Sequence, residues 1–181
     1  MAELMLQRTK ADQVASIYEK FISTFPNLQS LARADIEQLS KLLEPLGLLH
    51  RIPRFKRMAE FIVERYGGSV PSRLAELLKI PGVGRYIAHA VLCFGYGEDV
   101  PVVDANVVRV YSRIFGLKLK ARPHTDKKLW ELATRLVPPG KAREFNEAIL
   151  DFAALVCKPR KPECSRCPVV EICQYNRRKN E

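Results

Sequence analysis

No run of 18 apolar residues occurs anywhere in this sequence, which excludes a transmembrane helix. No secretory or organellar signal and no low-complexity tract is visible. Cysteine is scarce until the last quarter, where four of the five fall between Cys157 and Cys173. Without a secretory context a disulfide scaffold is not expected, because the compartment of such a chain is reducing. A prokaryotic cytoplasm, at the nucleoid, is therefore the expected location. Asn and Gln together number ten, a scarcity that points toward a thermophile. Acidic residues are also in deficit: 20 against 30 Lys and Arg, for a net charge of +10 and a pI near 9.6. Such an excess argues for a polyanionic partner. The 181 residues suffice for one large or two small domains with a real core.

The four late cysteines, Cys157, Cys164, Cys167 and Cys173, follow the pattern C-x6-C-x2-C-x5-C. Four thiols this close need a common partner, and an all-sulfur metal centre is the natural one: tetrahedral zinc or an iron–sulfur cluster. Only Cys164 and Cys167 have the C-x2-C spacing of a zinc knuckle. The uneven arms on either side suit a cluster, which is wider than one ion, but spacing alone leaves zinc open. Cys93, in the apolar run Ala-Val-Leu-Cys-Phe-Gly-Tyr, reads as a buried small hydrophobe.

Almost every segment carries the apolar rhythm of a helix, and none alternates as a strand would. Helices are expected over 13–25, 35–43, 55–66, 72–78, 85–94, 104–115, 126–136 and 141–156, with Pro26 and the Gly67-Gly68 pair as stops. The fold class is all-α. A mild break at 95–101 suggests a first module over 1–98 and a second over 99–181. Pro81-Gly82-Val83-Gly84 joins two of these helices into a helix-hairpin-helix. Gly82 and Gly84 remove side chains so that a phosphate can approach the backbone, and the following helix begins at Arg85. A turn of this kind holds DNA without reading its sequence. His89 lies on an apolar helix and reads as a core residue; His50 and His124 carry no legible role.

The hairpin, an Asp some way after it in Pro-Val-Val-Asp-Ala-Asn-Val-Val-Arg-Val, and the four cysteines, in that order, resemble the endonuclease III/adenine glycosylase superfamily of DNA glycosylases. The resemblance runs from Glu3 to Cys173. It implies a six-helix-barrel module, a [4Fe–4S] cluster module, and double-stranded DNA with a damaged or mismatched base as partner of a monomeric enzyme. Bifunctional members carry a Lys directly after the hairpin Gly-Arg, and its amine forms a Schiff base with the sugar. Here the wording is Gly84-Arg85-Tyr86, and a phenol cannot do that chemistry. Tyr at this place, together with Val-Asp-Ala-Asn around Asp104, is similar to the archaeal-type thymine/uracil mismatch glycosylases. Adenine removal, endonuclease III-like removal of oxidised pyrimidines, and a non-catalytic DNA-binding module are the alternatives.

The resemblance also assigns residues. Asp104 is the expected catalytic carboxylate, stabilising positive charge on the sugar as the base departs, and it doubles as a helix cap. Tyr86 and Glu3 complete the expected catalytic set. Gln7, with Arg8 beside it, matches the residue that fills the gap left by an extruded base, and Leu48 matches an apolar wedge. Gly82, Val83, Gly84 and Arg85 face the DNA backbone, and Lys158, Arg160 and Lys161 form a cationic loop for phosphate. Family members carry a further segment ahead of Leu4-Met5-Leu6-Gln7-Arg8-Thr9, so the barrel's first helix is expected to be absent from this sequence.

Overall fold

A computed structural model describes residues 1–6, 9–47, 51–118 and 125–180. Among them there are helices and turns but no strand. None of those helices is long and apolar enough to cross a membrane. The chain divides into two compact units, Met1–Ala88 and His89–Glu181.

The first unit holds α1 (Ala2–Met5), α2 (Ala11–Thr24), α3 (Leu28–Ala32), α4 (Ile36–Leu43), α5 (Ile52–Tyr66), α6 (Leu74–Leu77) and the start of α7 (Arg85–Ala90). Local chemistry sets most boundaries. Asn27 and Ser30 form a reciprocal capping box that starts α3, a helix the apolar pattern did not reveal because it is barely one turn long. Asp35 caps α4 by accepting from the Gln38 amide at 3.3 Å. Helix α5 ends on Gly67 at φ 62°, the left-handed conformation that favours glycine, and the Gly68 amide then reaches back to the Ile62 carbonyl. The core is apolar: Phe21, Leu31, Leu39, Leu43, Phe55 and Met5 are at most 1 % exposed. Phe21 sits 5.4 Å edge-on from Phe25 and 6.2 Å from Phe55.

The second unit continues from α7 into a single π-helical turn, Val91–Gly95. A straight helix over 85–94 was expected. Instead the turn widens: the Glu98 amide reaches the Leu92 carbonyl, Gly97 adopts φ 73°, and Arg143 donates to the Phe94 carbonyl. Then come α8 (Ala105–Phe115), α9 (Lys127–Leu136), α10 (Ala142–Leu155), short 3-10 turns at Cys164–Arg166 and Val170–Ile172, and α11 (Gln174–Asn180). Val103, Val107, Val110, Tyr111, Leu129 and Ala153 form its core. Gly116 ends α8 at φ 66°, where a Cβ would press on Gln174 and Arg178 of α11 at 3.4 Å. Glycine there serves both the turn and the close approach.

Candidate functional site

Asp104 is the N-cap of α8, reached through an extended backbone at φ −95° and ψ −176°. Its Oδ1 accepts from the Asn106 and Val107 amides at 2.8 and 2.7 Å, and its Oδ2 from the Asn106 side-chain amide at 2.6 Å. A carboxylate has about four lone-pair sites. Three are used, which leaves one oxygen direction for a substrate or water, and the positive end of α8 favours negative charge at this place. Capping and catalysis are thus compatible on one side chain.

The same helix carries the line of contacts onward. Asn106 accepts from Arg109 at 2.8 Å through the oxygen of its side-chain amide. Arg109 donates in turn to the carbonyls of Cys157 (3.0 Å) and Ala153 (2.9 Å). One helical turn further on, Arg113 donates to the Cys157 sulfur at 3.5 Å and to the Lys158 and Pro159 carbonyls at 2.7 and 2.8 Å. Its guanidinium lies 4.8 Å from the Tyr175 ring centre. A continuous path of hydrogen bonds therefore joins the Asp104 carboxylate to Cys157. Asn106, Arg109 and Arg113 escaped the sequence reading. Their signal was the charged face of an otherwise apolar α8, which reads equally well as a solvated surface.

Cys157, Cys164, Cys167 and Cys173 line one cavity together with Arg113, Ile114, Phe152, Val156 and Tyr175. None of the five cysteines is in a disulfide. Burial pushes the Cys167 thiol up, the Val169 amide opposes this, and Cys173, Cys157 and Cys164 push it further up. Four thiols so grouped do not ionise together unless a cation joins them. Among the described residues, no three His, Cys, Asp or Glu side chains gather closely enough to hold one metal ion. Four sulfurs lining one cavity are the donor set of an all-sulfur metal centre. Arg113 at the Cys157 sulfur supplies the outer-shell donor such a centre uses.

The hairpin is formed as expected. The Val83 amide bonds the Ile80 carbonyl at 3.0 Å and the Ala88 amide bonds the Gly84 carbonyl at 3.0 Å. Gly82 needs its φ of 82°. Gly84 does not adopt such a φ, and a Cβ on it would meet nothing within 4 Å. Among the described residues nothing crowds this position, and the backbone at Gly84 is open. Arg85 and Tyr86 open α7, Arg85 exposed and Tyr86 half-buried. Glu3 sits on α1 with Oε2 buried and, among the described residues, without a hydrogen-bond partner. In the loop after Cys157, Arg160 and Lys161 are exposed, whereas Lys158 is engaged by Glu163, whose carboxyl it holds below the usual range. Gln7, Arg8 and Leu48 lie outside the described residues.

Cys93 is fully buried, and burial pushes its thiol up, in keeping with a packing role. His89 is a core residue as read: its Nδ1 is 2.8 Å from the Pro101 carbonyl and its ring lies 4.7 Å from Trp130.

Residues 1–135 match the HhH-GPD superfamily base excision DNA repair proteins, and residues 157–173 match the iron-sulfur binding domain of endonuclease III. The chain is 42 % identical over 179 residues to a thymine-DNA glycosylase of Aeropyrum pernix, covering 97 % of this chain and 80 % of that protein. It is 38 % identical over 176 residues to a thymine/uracil-DNA glycosylase of Methanothermobacter thermautotrophicus, with the same two coverages. A solved thermostable thymine-DNA glycosylase superposes with a TM-score of 0.93 at 38 % identity, over 98 % of this chain and 82 % of that one. The iron-sulfur match begins on Cys157 and ends on Cys173, and it gives this chain a [4Fe–4S] cluster as cofactor. Cys157, Cys164, Cys167 and Cys173 would hold it, from the end of α10, the two 3-10 turns and the residue before α11.

Proposed function

This chain belongs to the HhH-GPD superfamily of base excision DNA repair proteins, and we propose that it is a monofunctional glycosylase acting, as a monomer, on thymine or uracil opposite guanine in double-stranded DNA. The observation that carries the reading is a pair of side chains. A carboxylate, Asp104, is held at the N-cap of α8 by three donors, and a phenol, Tyr86, stands where a Schiff-base enzyme needs an amine. In the reaction the sugar–base bond breaks with its electron pair leaving on the base. The Asp104 carboxylate stabilises the positive charge that develops on the sugar. Water then bonds to C1′ and gives its proton to Asp104, while the departing base is protonated by solvent or by Glu3. No covalent enzyme intermediate forms, and the strand stays intact.

The duplex is held by backbone phosphates against Gly82, Val83, Gly84 and Arg85, and against the exposed Arg160 and Lys161 with Lys158 beside them. Gln7, Arg8 and Leu48 supply the plug and wedge that a flipped base requires. The thymine and uracil preference follows what the relatives above are called, and Tyr86 after the hairpin resembles the archaeal-type thymine/uracil mismatch glycosylases.

The test is excision from duplexes carrying T·G, U·G, T·A, A opposite 8-oxoguanine, or thymine glycol, each with and without alkali. We expect T·G and U·G to react and T·A to be spared by on the order of 10²-fold. Strand breaks should appear only after alkali, and borohydride should trap no protein–DNA adduct. Efficient trapping would show that a lysine is the nucleophile, and a best substrate of A·8-oxoguanine or thymine glycol would overturn the base assignment.

A further inference from the structure

Four polar or charged side chains are buried among the described residues: Arg51, Asp126, His89 and Asn146. Two of them converge on one short segment, 100–102, which is itself neither helix nor strand and leads directly into Asp104. Asn146, on α10 and 1 % exposed, accepts from the Val102 amide at 2.8 Å through Oδ1. Its Nδ2 donates to the Val100 carbonyl at 2.9 Å, to the Ala142 carbonyl at 2.8 Å, and lies 3.3 Å from the Cys93 sulfur. His89 meets the Pro101 carbonyl between them. An amide that bonds the C=O of one residue and the N–H of the residue two along does what a neighbouring β-strand would do. Asn is a poor choice for a helix interior, and an apolar residue would fill a core position at lower cost. Its bonds outside α10 go to the stretch that carries the carboxylate and to Cys93.

We infer that Asn146 is a positioning residue for Asp104, with His89 as its second support. Asp104 has extended rather than helical backbone angles, so its carboxylate takes its direction from segment 100–103 as much as from α8. Val102 and Val103, both at most 2 % exposed, pass the constraint on. The inference rests on the reading of Asp104 as the catalytic carboxylate.

The test uses the full chain with its cluster and two variants on one helix. Asn146→Leu keeps the γ-branched shape at a larger volume and removes every side-chain hydrogen bond; Ile149→Ala weakens the neighbouring core and touches none of them. Single-turnover excision of T·G, duplex affinity, and amide exchange across 98–106 are measured, with cluster absorbance reporting the folded fraction. A misplacement of about 1 Å at a reacting group can cost about 10²-fold, so Asn146→Leu should lower the rate per folded molecule by roughly 10- to 10²-fold. Its affinity for the duplex should hold, and exchange should quicken at 100–104. Ile149→Ala should keep its rate per folded molecule.

If Asn146→Leu fails to assemble its cluster, His89→Phe removes only the Pro101 contact, keeps a ring beside Trp130, and should show the same pattern more weakly. A wild-type rate in a folded variant, or unchanged exchange at 100–104, overturns the inference. A wild-type protein inactive on both T·G and U·G sinks the functional reading instead, and the exchange measurement still decides whether Asn146 holds the segment.

Discussion

The two units are held together by different means. In Met1–Ala88 the ties are apolar: the Phe21, Phe25 and Phe55 rings and the leucines of α3 and α4, with helix ends closed by local caps. In His89–Glu181 long polar side chains reach across the unit. Arg109, Arg113 and Asn146 each bond backbone groups more than 40 residues away in sequence. The reason lies in the backbone. Segments 97–104 and 156–173 have little regular structure, and their buried carbonyls and amides must still be satisfied. Side chains of α8 and α10 do that work, and the cysteines close the rest. One unit is therefore a scaffold built mainly on area removed from water; the other adds to its own apolar core a set of long-range polar ties around segments 97–104 and 156–173.

The most severe way to break this contrast is to take away the iron. Metal–thiolate ligation in small structural sites is worth about 10 kcal/mol or more. Chelation under reducing conditions, or Cys157→Ala, should abolish the brown absorbance near about 400 nm. Amide protection should collapse over 157–180 while α5 keeps its own. Equal loss in α5 would mean that the first unit depends on the cluster as well.

Phe55→Ala is the converse experiment. Deleting a fully buried aromatic from an apolar core costs about 3–5 kcal/mol. The melting temperature should drop accordingly, with cluster absorbance per folded molecule unchanged.

Asp104→Asn sharpens the comparison by separating cap from catalyst. Asn is as good an N-cap as Asp, so stability should barely move. Excision should fall by about 10²–10³-fold, the usual cost of one lost electrostatic stabiliser, and duplex binding should survive. Poor folding with an unchanged rate per folded molecule would make Asp104 a cap only.

Arg113→Leu removes the donor at the Cys157 sulfur and the two loop carbonyl bonds. Outer-shell losses of this kind cost about 10- to 100-fold in metal affinity. Bleaching of the cluster by a chelator should quicken by a similar factor, and wild-type bleaching kinetics would count against the role assigned to Arg113.

The smallest effect concerns Tyr111, whose hydroxyl burial pushes up to about 12. In the unfolded chain a tyrosine titrates near about 10. The neutral phenol therefore stabilises the second unit below that value, and the contribution is lost as pH climbs from there toward the folded value. At about pH 11 the loss should be roughly 1 kcal/mol. Melts near that pH, compared with Tyr111→Phe, which cannot ionise, would reveal it; identical pH profiles would exclude it.

Much of this molecule was determined by its sequence alone. Helix caps at Asp35, Asp104 and Asp126, the glycine stop at Gly67, the hairpin at Pro81–Gly84 and the four cysteines are local devices, and each acts within a few residues. Local chemistry of that range is legible without a fold. The outcome at 91–95 was not, because a π turn depends on Arg143 and Asn146 arriving from a helix some fifty residues downstream. Nor was the path from Asp104 through Asn106 and Arg109 to Cys157. Long-range bonds between side chains and backbone leave no periodic trace in a sequence, since an Arg or Asn on a helix reads the same whether it meets water or a buried carbonyl. Only tertiary structure decides which of the two it is, because only packing removes the water that would otherwise satisfy both partners.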